Sequence, residues 1–372
     1  MKKKVVIVVG CRPDCIKMMP LLKEFKKRDC FETVLLSTGQ HKQMLNQVFD
    51  VFGEKPNYDL KIMKPNQSLF DITNSILKKI QNLLIAIKPD VVLVHGDTST
   101  AFVTSLACYY LKIPIGHVEA GLRTNDIFSP FPEEFNRQAI DLLAEYNFAP
   151  TMMAKQNLLN EGKKSKTIFV TGNTVIDAMK HTVTKEYHHP ELDWVGKDKL
   201  IFITAHRREN IGAPMHNMFR AIRRVLDENN DCKAIYPIHM NPLVRKAAEE
   251  ELGDCDKIHI IEPIEVFDCH NFESRSYLIL TDSGGIQEEA PAYGVPVLVL
   301  RNTTERPEGI KAGTLKLVGT DEETIYNEFT KLLTNKKEYE KMAKSVNPYG
   351  DGNASIRIAD VIENGFCDEW NC

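Results

Sequence analysis

Short runs rich in Val, Ile and Leu recur at 4–9, 33–37, 90–95, 114–118, 200–204, 233–237, 257–260, 277–281 and 295–300, each followed by a stretch of helix length. The apolar residues stand at consecutive rather than alternate positions, so a strand made from such a run must be covered on both faces. Helices crossing over a parallel sheet provide that cover, and the strand–helix alternation enforces it. The pattern predicts an α/β protein of two Rossmann-like, doubly wound parallel sheets. The rhythm breaks near 171–173 and a polar stretch at 187–199 reads as a loop, which predicts domains at 1–171 and 172–352. The remaining 353–372 holds a helix over 353–365 that is able to pack back on the first half. Ligands of open parallel sheets bind beyond the carboxyl ends of the strands, so the residues directly after each strand carry the functional information. A nucleotide-linked substrate in an interdomain cleft is the expectation.

Composition narrows the classes. A chain of 372 residues can build two sizeable cores. Its 47 Lys and Arg against 51 Asp and Glu create no general attraction to nucleic acid or an anionic membrane. The apolar runs fall far short of the ~20 residues a membrane span needs. Residues 1–4 are basic but pass straight into a strand, without the apolar region of a signal peptide. Nine cysteines, an odd number with no Cys-x-x-Cys pair, indicate reduced thiols. The expected compartment is the cytoplasm.

The strand ends hold the chemistry. After the first strand, Gly10 allows a tight turn while Arg12 and Lys17 offer cations near a helix start, a phosphate clamp in one reading and a solvated pair in the other. This turn has neither the Gly-x-Gly-x-x-Gly nor the Walker A pattern, so no nicotinamide or ATP cofactor is expected. Ser283, Gly284 and Gly285 also follow a strand and open a helix, where small residues let a diphosphate reach unpaired N–H groups; an ordinary N-cap has the same composition. Glu289, one turn on, is of the type that accepts ribose hydroxyls. Asp97, Glu119 and Glu133 lie at or just beyond strand ends, where neighbouring carboxyls with separated pKa values divide proton abstraction from donation. Taken singly, Asp97 also suits a helix cap and Glu133 a helix start. His206, with Arg207 and Arg208 beside it, and Arg306 supply positive groups in the second half. His95, Asp97, His117, Glu119 and His206 are ligand types without paired spacing, so no metal is expected. The pair His188 and His189 reads as solvated in its loop.

Together these segments resemble the non-hydrolysing UDP-N-acetylglucosamine 2-epimerases, a bacterial family with a two-domain glycosyltransferase-B-like fold. The likeness covers nearly the whole chain. It rests on Gly10, Arg12, Pro13, Ile16 and Lys17; Gln40, His41 and Gln43; the runs 95–98, 117–123, 129–134 and 205–210; Asp282 with Ser283 to Gly285; and the runs 304–307 and 347–352. The resemblance implies reversible C2 epimerisation of UDP-N-acetylglucosamine to UDP-N-acetylmannosamine, by elimination of UDP to 2-acetamidoglucal and re-addition, with no cofactor. It implies acid–base work by Asp97, Glu119 and Glu133, in an order left open, and neutralisation of departing UDP by His206. Substrate or diphosphate falls to Arg12, Lys17, Ser283, Gly284, Gly285 and Arg306, and ribose to Glu289. A second UDP-N-acetylglucosamine acts as activator at Gln40, Gln43, Glu133, Arg207 and His239, and the product feeds cell-surface polysaccharide synthesis. A homodimer is expected.

Departures from the family pattern carry their own expectations. Cys11, Asp14 and Cys15 replace the usual Thr, Glu and Ala, small changes that leave binding intact. Asn66 stands where the activator-site arginine is expected, which predicts weakened or altered activation. Cys269 lies where an aromatic residue is common beside the uracil. The competing readings are a hydrolysing epimerase releasing UDP and N-acetylmannosamine, a glycosyltransferase, for which no acceptor site is evident, and a nucleotide-sugar sensor without turnover.

Overall fold

The computed structural model describes residues 2–40 and 42–371, with the side chains of 42–44 left out. The chain forms two compact units, one of Met1–His181 with Tyr349–Cys372 and one of Thr182–Pro348.

The first unit is built on seven strands: β1 (Lys3–Val9), β2 (Phe31–Ser37), β3 (Tyr58–Asp59), β4 (Val91–His95), β5 (Ile115–Val118), β6 (Tyr146–Ala149) and β7 (Ile168–Val170). They lie in the order β3-β2-β1-β4-β5-β6-β7, all parallel, with Val5 opposite both Thr33 and Val91. All five residues of β4 are buried, as a strand covered on both faces requires. The second unit has β8 (Lys199–Thr204), β9 (Cys232–Pro237), β10 (Ile258–Ile261), β11 (Leu278–Thr281), β12 (Val297–Val299) and β13 (Leu315–Leu317), in the parallel order β10-β9-β8-β11-β12-β13. Ile201 and Ile203 of β8 enter one helix-covered core while Leu200 and Phe202 enter the other, so successive side chains feed opposite faces. Two Rossmann-like parallel sheets are thus present. Four strands of 2 to 4 residues, β3, β6, β7 and β13, lie outside the runs read from the sequence.

The division falls at His181/Thr182, so that nearly all of helix Thr174–Thr182 belongs to the first unit. That helix explains how the chain's end returns. Asp177 accepts hydrogen bonds from the backbone N–H groups of Ala354 (3.2 Å) and Ser355 (2.7 Å), capping helix Ala354–Asn364. This helix packs on helix Arg12–Lys27, and Arg28 pairs with Asp360 and Glu363 at 2.7 and 2.8 Å. The stretch expected as a loop at 187–199 contains helix Pro190–Val195. His189 is its N-cap, accepting from Glu191 N–H at 3.2 Å and packed 4.9 Å from the Phe272 ring, so it is not merely solvated. No described helix is long and apolar enough to cross a membrane.

Candidate active site

In the first unit, β1 runs into helix Arg12–Lys27 through a turn that only glycine fits. A Cβ on Gly10 would lie 2.1 Å from Thr100 Oγ1 and 2.7 Å from Thr38 Oγ1. Those two hydroxyls bond each other at 2.9 Å, and Thr100 donates to Gln40 at 3.0 Å. Asp14 folds back to accept from Gly10 and Cys11 N–H at 3.0 and 2.9 Å, and burial pushes its pKa up to about 6 despite those bonds. Asp14 therefore shapes the turn itself. Arg12 is half-buried at the first position of the helix.

Glu119 closes β5 in the left-handed region, with φ +69°, a conformation costly for a side chain with a Cβ. Its carboxylate meets Lys17 Nζ in an ion pair, lies 3.6 Å from His95 Nε2 and accepts from Asn173 Nδ2 at 3.3 Å. Lys17, expected at a phosphate, is thus bound to a candidate catalytic carboxylate. His95 is buried, and burial lowers its pKa to about 3 although Glu119 opposes this; its Nε2 has no hydrogen-bond partner among the described residues.

Asp97 does not cap the helix after β4. Thr98 does so, accepting from Ala101 N–H at 3.1 Å. Asp97 instead pairs with Arg137 at 2.7 Å. Burial raises its pKa, Arg137 opposes, and the charges of Glu119 and Glu133 reinforce the rise. Glu133 begins helix Glu133–Leu143, so Arg137 stands one turn along from it. The three expected carboxyls therefore share one electrostatic neighbourhood. His117 is held elsewhere, with Nδ1 2.5 Å from Asp141 and Nε2 2.7 Å from the Gly96 carbonyl, while Arg123 pairs with Asp141 at 2.7 Å. These contacts brace the turns after β4 and β5.

In the second unit, fully buried Asp282 organises the turn after β8. Its carboxylate accepts from the N–H groups of His206 (2.9 Å) and Arg207 (2.8 Å) and from Asn210 Nδ2 (3.1 Å). His206 stacks on exposed His239, ring centroids 5.4 Å apart. Burial lowers the His206 pKa; Asp282, with an oxygen 3.7 Å from Nδ1, pulls the other way, and His239 and Arg207 add to the lowering. Arg207 reaches Glu305 at 3.4 Å. Ser283 is the N-cap of helix Gly284–Glu289 and makes no side-chain cap bond. A Cβ on Gly284 would stand 3.0 Å from Glu305 Oε1 and 3.7 Å from Arg306 Cζ, so this glycine keeps backbone open beside two arginines. Arg306 is held by Glu288 at 2.7 Å. The carboxylate of Glu289 turns back toward Gly285, 3.4 Å from where its Cβ would be. Asn66 is exposed at φ +55°. Gln43 lies in helix Lys42–Phe52, its side chain outside the described residues, as is His41.

Sequence reasoning assigned no role to Arg137, Asn173, Asp282, Glu288 or Glu305, the residues that hold the candidates. Arg137 had a signal, four residues after Glu133 on one helix face; Asn173, distant in sequence from Glu119, had none.

The family model of UDP-N-acetylglucosamine 2-epimerase matches residues 23–363. A UDP-N-acetylglucosamine 2-epimerase of Bacillus subtilis is 58% identical over 361 residues, covering 97% of this chain and 95% of that one. A solved structure from Listeria monocytogenes superposes with a TM-score of 0.96 at 50% identity over the full length of both chains. The Neisseria meningitidis UDP-GlcNAc 2-epimerase, solved bound to UDP-GlcNAc, gives a TM-score of 0.86 at 46% identity, covering 97% of this chain and 99% of that one. With its strand-end carboxyls, its braced His206 turn and a match along nearly its whole length, this chain belongs to the UDP-N-acetylglucosamine 2-epimerase family.

Proposed function

We propose that the chain interconverts UDP-N-acetylglucosamine and UDP-N-acetylmannosamine without hydrolysis. A carboxylate removes the C2 proton; the C–H electrons form the C1=C2 bond of 2-acetamidoglucal as the C1–O bond breaks and its electrons leave with UDP. A carboxylic acid then protonates C2 from the opposite face and UDP re-forms the bond at C1. Asp97, Glu119 and Glu133 do this work. In the second unit His206 and Arg306 neutralise the leaving diphosphate, Ser283 to Gly285 supply donors to it, and Glu289 binds the ribose. Arg12 and Lys17 add charge on the sugar side.

The observation that carries this reading is the contrast between neighbouring carboxyls, Asp97 pushed toward its protonated form by burial and Glu119 ion-paired with Lys17. An acid and a base side by side is what a two-face proton transfer requires. The test follows UDP-N-acetylglucosamine by NMR in deuterated water. Deuterium at C2 of both sugars, with UDP still attached, is the expected outcome. Free N-acetylmannosamine as main product means a hydrolysing enzyme, and binding without turnover means a sensor.

The same reading includes activation by a second substrate molecule, with Gln40, Gln43, Glu133, Arg207 and His239 as its contacts. Asn66 lacks the charge expected among them, and a charge-assisted hydrogen bond contributes ~1.5–3 kcal/mol. Asn66→Arg should strengthen activation, seen as a steeper dependence of rate on substrate concentration; an unchanged profile rejects the assignment. Its exposed, left-handed backbone imposes a cost of about 1 kcal/mol on any replacement with a longer side chain.

A further inference from the structure

Behind Glu289 lies a carboxyl that the reaction above does not use. Glu273 is fully buried on helix Val266–Arg275. One of its oxygens accepts from the Cys269 thiol, one turn earlier, at 3.2 Å, and the other accepts no hydrogen bond among the described residues. The group it meets is the Glu289 carboxyl.

His270 and Tyr293 are titratable neighbours of the pair among the described residues. His270 Nε2 is 3.8 Å from Glu289, its Nδ1 is 2.7 Å from Thr182 Oγ1, and burial takes its pKa down to about 4. Tyr293 is raised to about 12, by burial first and then by Glu273, with Arg275 opposing. Two carboxylates in contact, one of them wholly out of water, do not both stay charged. Burial and the charge of Glu289 accordingly drive the Glu273 pKa far above the carboxylate range. A protonated carboxyl has one donor, and the oxygen without a bonded donor is where that proton belongs.

We propose that Glu273 is a positioning residue for nucleotide recognition: its neutral carboxyl donates a hydrogen bond to Glu289, orients that carboxylate toward the ribose hydroxyls and keeps the pair at a single negative charge. This rests on the reading of Glu289 as the ribose-binding group. The donor occupies one lone pair of Glu289 on the side away from the sugar. A second negative charge would repel the diphosphate that the same segment is to bind.

The test compares the affinities of the full-length protein for UDP and 2′-deoxy-UDP by calorimetry. The wild type should prefer UDP by about tenfold, the usual effect of one hydrogen bond to a charged group. Glu273→Ala should bring that preference close to unity while changing 2′-deoxy-UDP binding little, a split that general loosening of the fold would not produce. Glu273→Gln, whose amide still donates, should keep most of it. If Glu289→Gln abolishes the preference and Glu273→Ala retains it, the role of Glu273 is overturned alone. If Glu289→Gln retains it, the ribose assignment falls and takes this proposal with it. Infrared difference spectra of wild type against the near-isosteric Glu273→Gln do not depend on the alanine variant folding. They should show a protonated carboxyl band that shifts when UDP is added, and absence of that band overturns the proposal.

Discussion

Asp97 and His95 stand two residues apart at the end of β4, and burial acts on them in opposite senses. It raises the pKa of the acid and lowers that of the imidazole, because it disfavours whichever form is charged. In the proposed reaction Asp97→Asn removes a proton carrier while keeping shape, and a positioned acid or base contributes ~10²–10⁴ in rate. C2 exchange in deuterated water should fall by about that factor with UDP binding retained. His95 makes a prediction about stability. With a folded pKa of about 3 against an ordinary 6.5, it stays neutral in the fold while the unfolded chain takes up a proton below 6.5. Its contribution is complete above pH 6.5 and is lost as the pH falls toward 3. Asp14, raised from 3.8 to about 6, works the other way, contributing most below 3.8 and losing that as the pH rises through 6. His95→Gln should therefore reduce the acid-side slope of stability by about 1.4 kcal/mol per pH unit, measured by denaturant unfolding between about pH 6 and 4. Asp97 and Glu119 were legible as candidates from their strand-end positions. That Arg137 and Lys17 pair with them was not, because those contacts join separate helices to separate turns.

At the scale of elements, the turns after β1, β4, β5, β8 and β11 do most of the positioning. The turns after β1 and β8 each combine a small residue with an acid that accepts backbone N–H groups, Asp14 for Gly10 and Cys11 and Asp282 for His206 and Arg207. Gly10→Ala tests the first of these. Its Cβ meets Thr100 and Thr38, both buried and bonded to each other, so neither can move aside. Overpacking of this kind costs ~1–3 kcal/mol, and the upper part of that range is expected here, read from denaturant unfolding. Cofactor-type glycine patterns were absent from the sequence, but the sequence did not reveal that the glycine of this turn is packed against threonines from β2's loop and the helix after β4. Similarly, the capping choice between Asp97 and Thr98 was open in sequence; the backbone decides it by pointing the Thr98 hydroxyl at Ala101 N–H and sending Asp97 to Arg137.

For the whole molecule, the chain's return is the informative feature. Tyr349, Ala354, Ile358, Val361 and Ile362 are all buried in the first unit, although more than 160 residues of the second unit intervene. Burying one large aliphatic side chain contributes ~1.5–3 kcal/mol. A chain ending at Pro348 should thus lose several kcal/mol, and its first unit should melt earlier or aggregate, by calorimetry. The second unit, whose residues are contiguous from Thr182 to Pro348, should keep its own transition.

Strand-length apolar runs and their alternation with helices determined the two parallel sheets, because covering a strand on both faces is a local requirement written in consecutive residues. The acidic and small residues after those strands likewise marked the candidate site, since parallel topology brings strand ends to one edge of each sheet. Only the tertiary structure decided the pairing of the acids among them: Glu119 on Lys17 and Asn173, Asp97 on Arg137. Charge states depend on burial and on neighbours brought from distant parts of the chain, and neither is a property of sequence spacing.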